Sequence, residues 1–433
     1  MLDIKFVREN AEKVQKDSDN KGYDVDVNGV LKLDEQRREL QGKTDELRAQ
    51  RNETAAKMKN GRPSPDLIAE GKKLKEKLSG LEEKLRAVDD EFVTNLKKIP
   101  NTPCDDVPIG QSEDENVVAE VVGQSTKFDF APKNHWEIGQ LRGWIDKERA
   151  AKVTGARFAY IQSDLVKLEL AIEQLVIDVL TDEAKLKEII KDASLKNLSA
   201  KPFTPILPPL MVRTEVYDAM DRLEPREDRY KIEGEELWLQ GSAEHVLGSM
   251  YMDEIIDEKD LPVRMVGFAT SFRKEAGAAG KDMEGILRMH QFDKLELEAL
   301  TTAENSFDEH QFFIAIQRYL IEQLELPYRV VMKCTADIGK PNARGVDMEV
   351  WLAGQNKYRE THSADYMTDY QARRLATRVR RTSGEIELVH TNDATAFALG
   401  RIMIAIIENY QNEDGSVRMP KVLQKYMGGK EKI

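Results

Sequence analysis

From Leu67 onward the apolar residues Leu67, Leu74, Leu78, Leu81, Leu85, Val88, Phe92 and Leu96 recur by threes, fours and sevens, with mostly Lys and Glu between them. A seam of this period holds one stripe of a helix against a partner helix and leaves the rest in water. The partner lies just upstream, where Leu33, Leu40 and Leu47 repeat at seven with Val30 and Met58 beside them. Between the two seams stands Asn60-Gly61-Arg62-Pro63-Ser64-Pro65, a helix-breaking cluster that turns the chain back. The first hundred residues are therefore expected to form an antiparallel two-helix coiled coil, on the order of 45 Å long at about 1.5 Å per residue.

Such a hairpin buries only a narrow stripe, and as a structural device it would serve as a spacer or a dimer zipper. Its charge adds a third use. The chain as a whole carries 65 Lys and Arg against 78 Asp and Glu, a net charge of -13, and so repels nucleic acid on average. The distal half of the hairpin runs the other way, with Arg48, Arg51, Lys57, Lys59, Arg62, Lys72, Lys73, Lys75 and Lys77 against Glu53, Asp66, Glu70 and Glu76. A basic tip on an acidic protein suits a phosphate-bearing partner.

At 433 residues the chain exceeds what one core usually holds. Pro100, Pro103 and Pro108, with acids around them, mark a linker, which divides the chain into an arm at 1–106 and a body at 107–433. In the body, Arg264–Phe272, Met289–Leu297, Val346–Leu352 and Lys357–Glu360 are strand-like. A helix carries Leu165, Leu168, Ile172, Leu175 and Val179 on one face and leads to Pro205-Ile206-Leu207-Pro208-Pro209. Adjacent strand-like runs joined by tight loops favour an antiparallel sheet, an α+β body. Two isolated cysteines, Cys104 and Cys334, and six histidines without an HxxxH pair give no zinc site and fit a reducing compartment. The start of the chain lacks a signal pattern, and its longest apolar run, Ala396–Ile407, is too short to span a bilayer, so a cytoplasmic protein is expected.

Three stretches carry candidate chemistry. Phe272 to Glu298 reads as two strands flanking a loop with Gly277, Gly280 and Gly285. Period two puts Phe292, Lys294 and Glu296 on one face of the second strand and Leu295 and Leu297 on the other. With Arg273 at the end of the first strand, that face offers an aromatic plane, a carboxylate and a guanidinium. This is a set suited to a nucleotide, though surface hairpins also carry such ion pairs. Arg401 stands alone in the apolar run Ala396–Ile407, which reads as a buried helix. A charge there needs an anion, either a carboxylate elsewhere in the fold or a ligand phosphate. Glu360, expected to follow a strand, and Ser363 could hold Mg2+ through oxygen. No Walker A loop and no GxGxxG after a strand is present.

The order of these segments resembles class II aminoacyl-tRNA synthetases in their seryl version. Phe272-Arg273 with Glu275-Ala276-Gly277 and His290-Gln291-Phe292 resembles motif 2. Ala398-Leu399-Gly400-Arg401, then Glu408-Asn409-Tyr410-Gln411 and Tyr426-Met427-Gly428-Gly429, resembles motif 3 and the C-terminus. The helix before Leu207-Pro208-Pro209 resembles motif 1, the dimer-forming segment, and the hairpin resembles the tRNA arm. The resemblance implies a bacterial-type enzyme that makes seryl-adenylate from serine and ATP with Mg2+ and no zinc. It then transfers serine to the 3′ end of serine tRNA, with selenocysteine tRNA a further acceptor. It implies a homodimer with Arg273 on the α-phosphate, Arg401 on the γ-phosphate, Phe292 stacked on adenine and Glu275 near its amino group. Glu360 and Ser363 would hold Mg2+ and ATP, and Ser242, Glu244, Glu296 and Thr395 would line the serine pocket. Lys57, Lys59, Lys72 and Lys73 would meet tRNA.

Several positions depart from the family pattern. Ser242-Ala243-Glu244 stands where Thr usually comes first, and Asn392-Asp393-Ala394-Thr395-Ala396 where the family has Leu-Asn-Gly-Ser-Gly. Thr361-His362-Ser363-Ala364-Asp365 replaces a serine- and cysteine-rich run, and Glu284 stands where a basic residue is usual. Two other uses of such a scaffold are open at this point. One is activation of serine or another small amino acid for a non-tRNA acceptor, which the basic arm disfavours. The other is a non-catalytic RNA-binding protein, which Arg273, Glu296, Glu360 and Arg401 disfavour.

Overall fold

The computed structural model describes residues 1–59, 64–196, 198–275 and 284–433. Residues 60–63 of the breaker cluster, Arg62 among them, and Ala276, Gly277 and Gly280 of the glycine-rich loop lie outside the described residues. The chain divides into two compact units, Met1–Thr102 and Pro103–Ile433.

In the N-terminal unit two short helices, Ile4–Glu9 and Ala11–Asn20, precede the long helices α1 (Val27–Lys59) and α2 (Pro65–Leu96). Ser64 caps α2 by accepting from the Leu67 amide, and Pro65 follows at the first helical position, where a missing N–H costs nothing. Arg37 pairs with Asp89, Arg48 with Glu82, and Met58 packs against Gly71, so residue numbers fall on one helix as they rise on the other. The hairpin is antiparallel. On α2 the seam is as expected, with Leu78, Phe92 and Leu96 buried and Leu67, Leu74, Leu81, Leu85 and Val88 half-buried.

On α1 the seam is more polar than the leucine repeat suggests. Leu33, Leu40 and Leu47 are only half-buried, whereas Asp34, Thr44 and Thr54 are buried. Asp34 is tolerable there because it meets Arg8 at 3.3 Å, Arg37 at 3.1 Å and Arg38 at 3.1 Å. Thr44 turns its hydroxyl onto the Leu40 carbonyl of its own helix, 2.8 Å away.

The second unit is built on one eight-stranded sheet. Its strands are β1 (Val117–Val122), β2 (Thr204–Ile206), β3 (Val263–Phe272), β4 (Gln291–Thr301), β5 (Tyr328–Met332), β6 (Arg344–Leu352), β7 (Lys357–Thr368) and β8 (His390–Ala398). Their order across the sheet is β1-β5-β6-β7-β8-β4-β3-β2. All neighbours are antiparallel except β2, a short parallel strand on the edge beside β3. Pro205 explains its place, since a proline cannot donate to a ladder from the middle of a sheet.

Helices α3 (His135–Arg142), α4 (Asp164–Leu180), α6 (Ser306–Gln323) and α7 (Leu399–Asn409) contribute to the main apolar core, and the short α5 (Glu244–Leu247) packs on β3 and β4. The face of α4 read from the sequence is the buried one, with Leu165, Leu168, Ile172, Leu175 and Val179 in that core. Among the described residues no helix is long and apolar enough to cross a membrane.

Two expectations are corrected here. The apolar run Ala396–Ile407 is not one helix: Ala396–Ala398 complete β8, and α7 begins at Leu399. Apart from Arg401 the run is apolar because the end of a central strand and the helix after it both face the core. Glu360 does not follow a strand but lies inside β7, which continues to Thr368. A bulge sets its place: Glu349 pairs with Glu360 and Met348 with His362, which leaves Thr361 as the extra residue.

Candidate active site

Strand β4 divides the polar from the apolar. Leu295, Leu297 and Ala299 join the core, while Phe292, Lys294, Glu296 and Glu298 take the alternate positions. Above the strand lies a cavity lined by Arg273, Glu275, Phe292, Glu360, Thr395 and Arg401, with Ile286–Met289 along one wall. Six of the residues singled out in the sequence thus meet in one place, although they come from the chain following β3 and from β4, β7, β8 and α7.

Each is held by named contacts. Arg273 donates from Nε to the Gly241 carbonyl at 2.9 Å, and its guanidinium lies 5.4 Å from the centre of the Phe292 ring. Glu275, in a left-handed conformation at φ 51°, accepts from Arg288 at 2.9 Å. Arg401 is in the first turn of α7 and partly exposed, not enclosed in the core as its apolar neighbours suggested. It donates to the Glu360 carboxylate at 3.0 Å and to the Glu360 carbonyl at 2.9 Å. Of the two anions open to it in the sequence, the carboxylate partner is the one present here. Burial works to raise the Glu360 pKa, but Arg401 and then Lys333 outweigh it and carry it down to about 2. Ser363 lies on the same strand opposite Asp347, away from the cavity lining, and its hydroxyl bonds that carboxylate.

A second, deeper group sits below. Ser242 donates to Glu296 at 3.1 Å and Thr395 donates to the same oxygen at 3.2 Å. Lys294 donates to Ser242 at 3.0 Å and forms an ion pair with Glu296. The register makes this group: Glu296 is paired with Thr395 on one side and with Gly267 on the other, and two rungs further, on the same face, Glu298 faces Asp393. Gly267 matters because a Cβ there would stand 2.7 Å from Leu247 and 3.3 Å from Ala243, on the segment that carries Ser242 and Glu244. Glu244 meets Arg222 and His245, each at 3.5 Å, and Arg222 reaches Asp393 at 3.1 Å. From the core side Gln317 of α6 donates to the Ser363 carbonyl at 2.8 Å and the Thr395 carbonyl at 2.9 Å, which ties β7 to β8 beneath the site.

These buried carboxyls do not share one protonation state. Burial tends to raise Glu244, but Arg222, with His245 and Lys294, outweighs it and holds the carboxyl well below the usual range. For Glu296 burial prevails over the Lys294 charge and lifts the group to about 7. Asp393 and Glu298 are pushed well above the usual range, first by burial and then by neighbouring carboxylates. Neither carboxyl oxygen of Glu298 has a hydrogen-bond partner. Deep in the fold on the β7 side, Lys333 stands 4.0 Å from Asp347, and burial lifts Asp347 to about 8.

The sequence reading missed Arg222, Lys333, Asp347, Gln317 and Glu298. Arg222 lies in a polar stretch with no periodicity to place it. The period of β4 would have put Glu298 on the face of Glu296 had the strand been carried past Leu297. Glu284 is exposed, two residues before the cavity wall. Lys57, Lys59, Lys72 and Lys73 belong to the N-terminal unit, where all four are exposed and Lys57 pairs with Glu53 at 2.8 Å.

Comparison with known proteins places these features in a wider set. Residues 1–103 match the "Seryl-tRNA synthetase N-terminal domain" and residues 228–410 the "tRNA synthetase class II core domain (G, H, P, S and T)". The serine–tRNA ligase of Thermodesulfovibrio yellowstonii is 39% identical over 99% of this chain and 99% of its own length. The seryl-tRNA synthetase of Pyrococcus horikoshii, solved in complex with ATP, superposes with a TM-score of 0.89 at 37% identity, covering 100% of this chain and 99% of that one. The cytoplasmic serine–tRNA ligase of Naegleria fowleri, solved with AMP, gives 0.85 at 29% identity, covering 100% and 98%.

The state of Glu298 has a measurable consequence. A carboxyl whose pKa is raised on folding stays protonated in the folded chain while it ionises in the unfolded one. Stability therefore falls as pH rises above the ordinary carboxylate range, by up to about 1.4 kcal/mol per pH unit for one such group. Glu298→Gln removes that contribution. The ligand-free variant should melt with its parent near about pH 5 and at a higher temperature near about pH 8. A gap that fails to widen with pH would rule out a raised Glu298.

Proposed function

We propose the following residue roles for a chain that belongs to the seryl-tRNA synthetase family: it is a serine–tRNA ligase, which activates serine with ATP and transfers it to tRNA. The observation that carries the assignment of roles is a single cavity holding the Arg273 and Arg401 guanidinium groups and the Phe292 ring above a buried Ser242–Glu296–Thr395 group.

ATP binds in the cavity with adenine on Phe292 and its amino group near Glu275. Arg273 takes the α-phosphate and Arg401 the γ-phosphate, and in doing so Arg401 exchanges the Glu360 carboxylate for a phosphate. Serine binds below, its ammonium beside Glu296 and Glu244 and its hydroxyl among Ser242 and Thr395. A cation arriving beside Glu296 favours the ionised carboxylate, so serine binding draws the proton off that group. The serine carboxylate then attacks the α-phosphorus, the bond to pyrophosphate breaks, and the two arginines stabilise the charge that builds on the phosphates. No side-chain nucleophile is required, and the terminal ribose hydroxyl of tRNA accepts the seryl group from the adenylate.

The donor set fits Mg2+, because Glu360 turns a half-exposed carboxylate, an oxygen donor, to the cavity. Glu360 would hold the ion, which supplies charge neutralisation on the phosphates when bound, while Ser363, outside the lining, keeps its hydroxyl on Asp347. Among the described residues no three His, Cys, Asp or Glu side chains gather as a metal site, so phosphate oxygens would complete the shell.

The N-terminal unit is assigned to tRNA through Lys57, Lys59, Lys72 and Lys73. A homodimer is assigned through the outer face of α4 and the chain just after β2, where Leu170 is 58% and Leu207 85% exposed. Apolar side chains that far out of the fold call for a partner surface, and twofold assembly is the commonest way to supply one. A cytoplasmic location agrees with the two free cysteines.

Three measurements check these roles. Arg273→Ala and Arg401→Ala should each lower serine-dependent pyrophosphate exchange about a hundredfold or more, and survival of exchange in both would move the ATP site elsewhere. Replacing Lys57, Lys59, Lys72 and Lys73 together with Glu should abolish tRNA charging and leave pyrophosphate exchange intact; equal loss of both activities would end the assignment of the arm. Light scattering at micromolar concentration should return twice the 49.4 kDa chain mass, and a single-chain mass would dismiss the dimer.

A further inference from the structure

The first residue of the cavity wall Ile286–Met289 is held by a buried side chain from another element. His135, at the start of α3, and Glu408, near the end of α7, are both buried. One oxygen of Glu408 accepts from the His135 backbone amide at 3.0 Å and lies 2.9 Å from ring Nδ1, and the other accepts from the Gly354 amide at 3.0 Å. The far ring nitrogen, Nε2, accepts from the Ile286 amide at 3.2 Å. A carboxylate only accepts and an amide N–H only donates, so these two neighbours select the neutral imidazole with its proton on Nδ1.

The ring is seated tightly. A Cβ on Gly285 would lie 1.8 Å from Nε2, and Gly285 is at φ 63°, so a glycine is what lets the chain pass the imidazole at this distance. Glu408 is seven residues from Arg401 on the same helix, two turns along, and therefore on the same side. One helix thus carries the guanidinium assigned to the γ-phosphate and the carboxylate that orients His135. The opposite end of the same connection is also braced, since Arg157 donates to the Glu275 carbonyl at 3.1 Å and the His290 amide to the Arg157 carbonyl at 3.0 Å.

We propose that His135 is a positioning residue for ATP: oriented by Glu408, its Nε2 anchors Ile286 and sets the cavity wall Ile286–Met289 in register with Arg401. The proposal rests on the reading of this cavity as the ATP site. His135 touches neither substrate nor reacting atoms. What it supplies is the distance between the wall and α7, and removal of the acceptor leaves a buried amide without a partner.

Two variants separate this role from general packing. His135→Asn keeps a donor where Nδ1–H stands and has no acceptor at the Nε2 position, whereas His135→Gln can extend a carbonyl oxygen to the Ile286 amide. In pyrophosphate exchange His135→Asn should raise the KM for ATP about tenfold while the KM for serine stays within about twofold. Amide hydrogen exchange at Ile286 in the ligand-free protein should quicken, and His135→Gln should recover most of both changes. An unaltered KM for ATP, equal losses in the two variants, or a parallel rise in the KM for serine would overturn the proposal. Failure of the underlying reading looks different: Ile286 exchange quickens in His135→Asn, but Arg401→Ala leaves ATP use intact. If Ile286 exchange is unchanged while Arg401→Ala abolishes activity, the ATP site stands and the anchor does not.

Discussion

The alternation of β4 is the constraint on which the rest of the catalytic unit depends. Its period of two sends Leu295, Leu297 and Ala299 into the helical core and Lys294, Glu296 and Glu298 to the other side. A slip of one residue would put three charged side chains among leucines and three apolar ones in the pocket, so the core fixes the register that builds the site. Once that register holds, the neighbours follow: Thr395 and Asp393 from β8 and Gly267 from β3 are brought opposite the glutamates by ladder geometry alone. Stability and site assembly are here two results of the same pairing.

Bringing that many carboxyls together in a buried place is costly, and two means lower the cost. Cations are interleaved, with Arg222 between Glu244 and Asp393, and Lys294 against Glu296 and Ser242. Where cations do not suffice, the proton does, and Glu298 and Asp393 are pushed toward the neutral acid. The upper cavity uses only the first means. There Glu360 and Arg401 satisfy one another at the edge of the site, where solvent reaches both, so the pair can open at little loss when an anion or a cation competes for either member.

The sequence was most informative where a period governs the structure and least where a site depends on tertiary approach. The seam of α2, the buried face of α4 and the two faces of β4 follow from periods of seven, 3.6 and two, and each is found where the period puts it. Hydrophobic repeats were less reliable on α1, because Asp34 is made acceptable by three arginines, one of which, Arg8, comes from another helix. The run Ala396–Ile407 misled in a similar way, since apolarity records burial and not whether the buried backbone is strand or helix. Arg222 carried no local signal at all. Its role is set by Glu244 and Asp393, which are distant from it in sequence, and nothing in the residues around it points to them. His135 and Glu408 likewise meet only because α3 and α7 pack together.

The position of Arg401 shows how one residue can be poorly placed for its helix and well placed for its site. A cation in the first turn of a helix faces the positive end of the helix dipole, so α7 alone would be more stable with an acid there. Glu360, reached across from β7, supplies the missing negative charge in the ligand-free protein. An anionic phosphate at the same point would meet both the guanidinium and the unpaired amides of the first helical turn, two attractions where the Glu360 contact supplies one carboxylate. The bulge at Thr361 then gains a physical reason. It turns Glu360 and Thr361 together toward the cavity, where an unbroken strand would show only one of them, and so keeps the carboxylate beside the helix terminus whether or not Arg401 holds it.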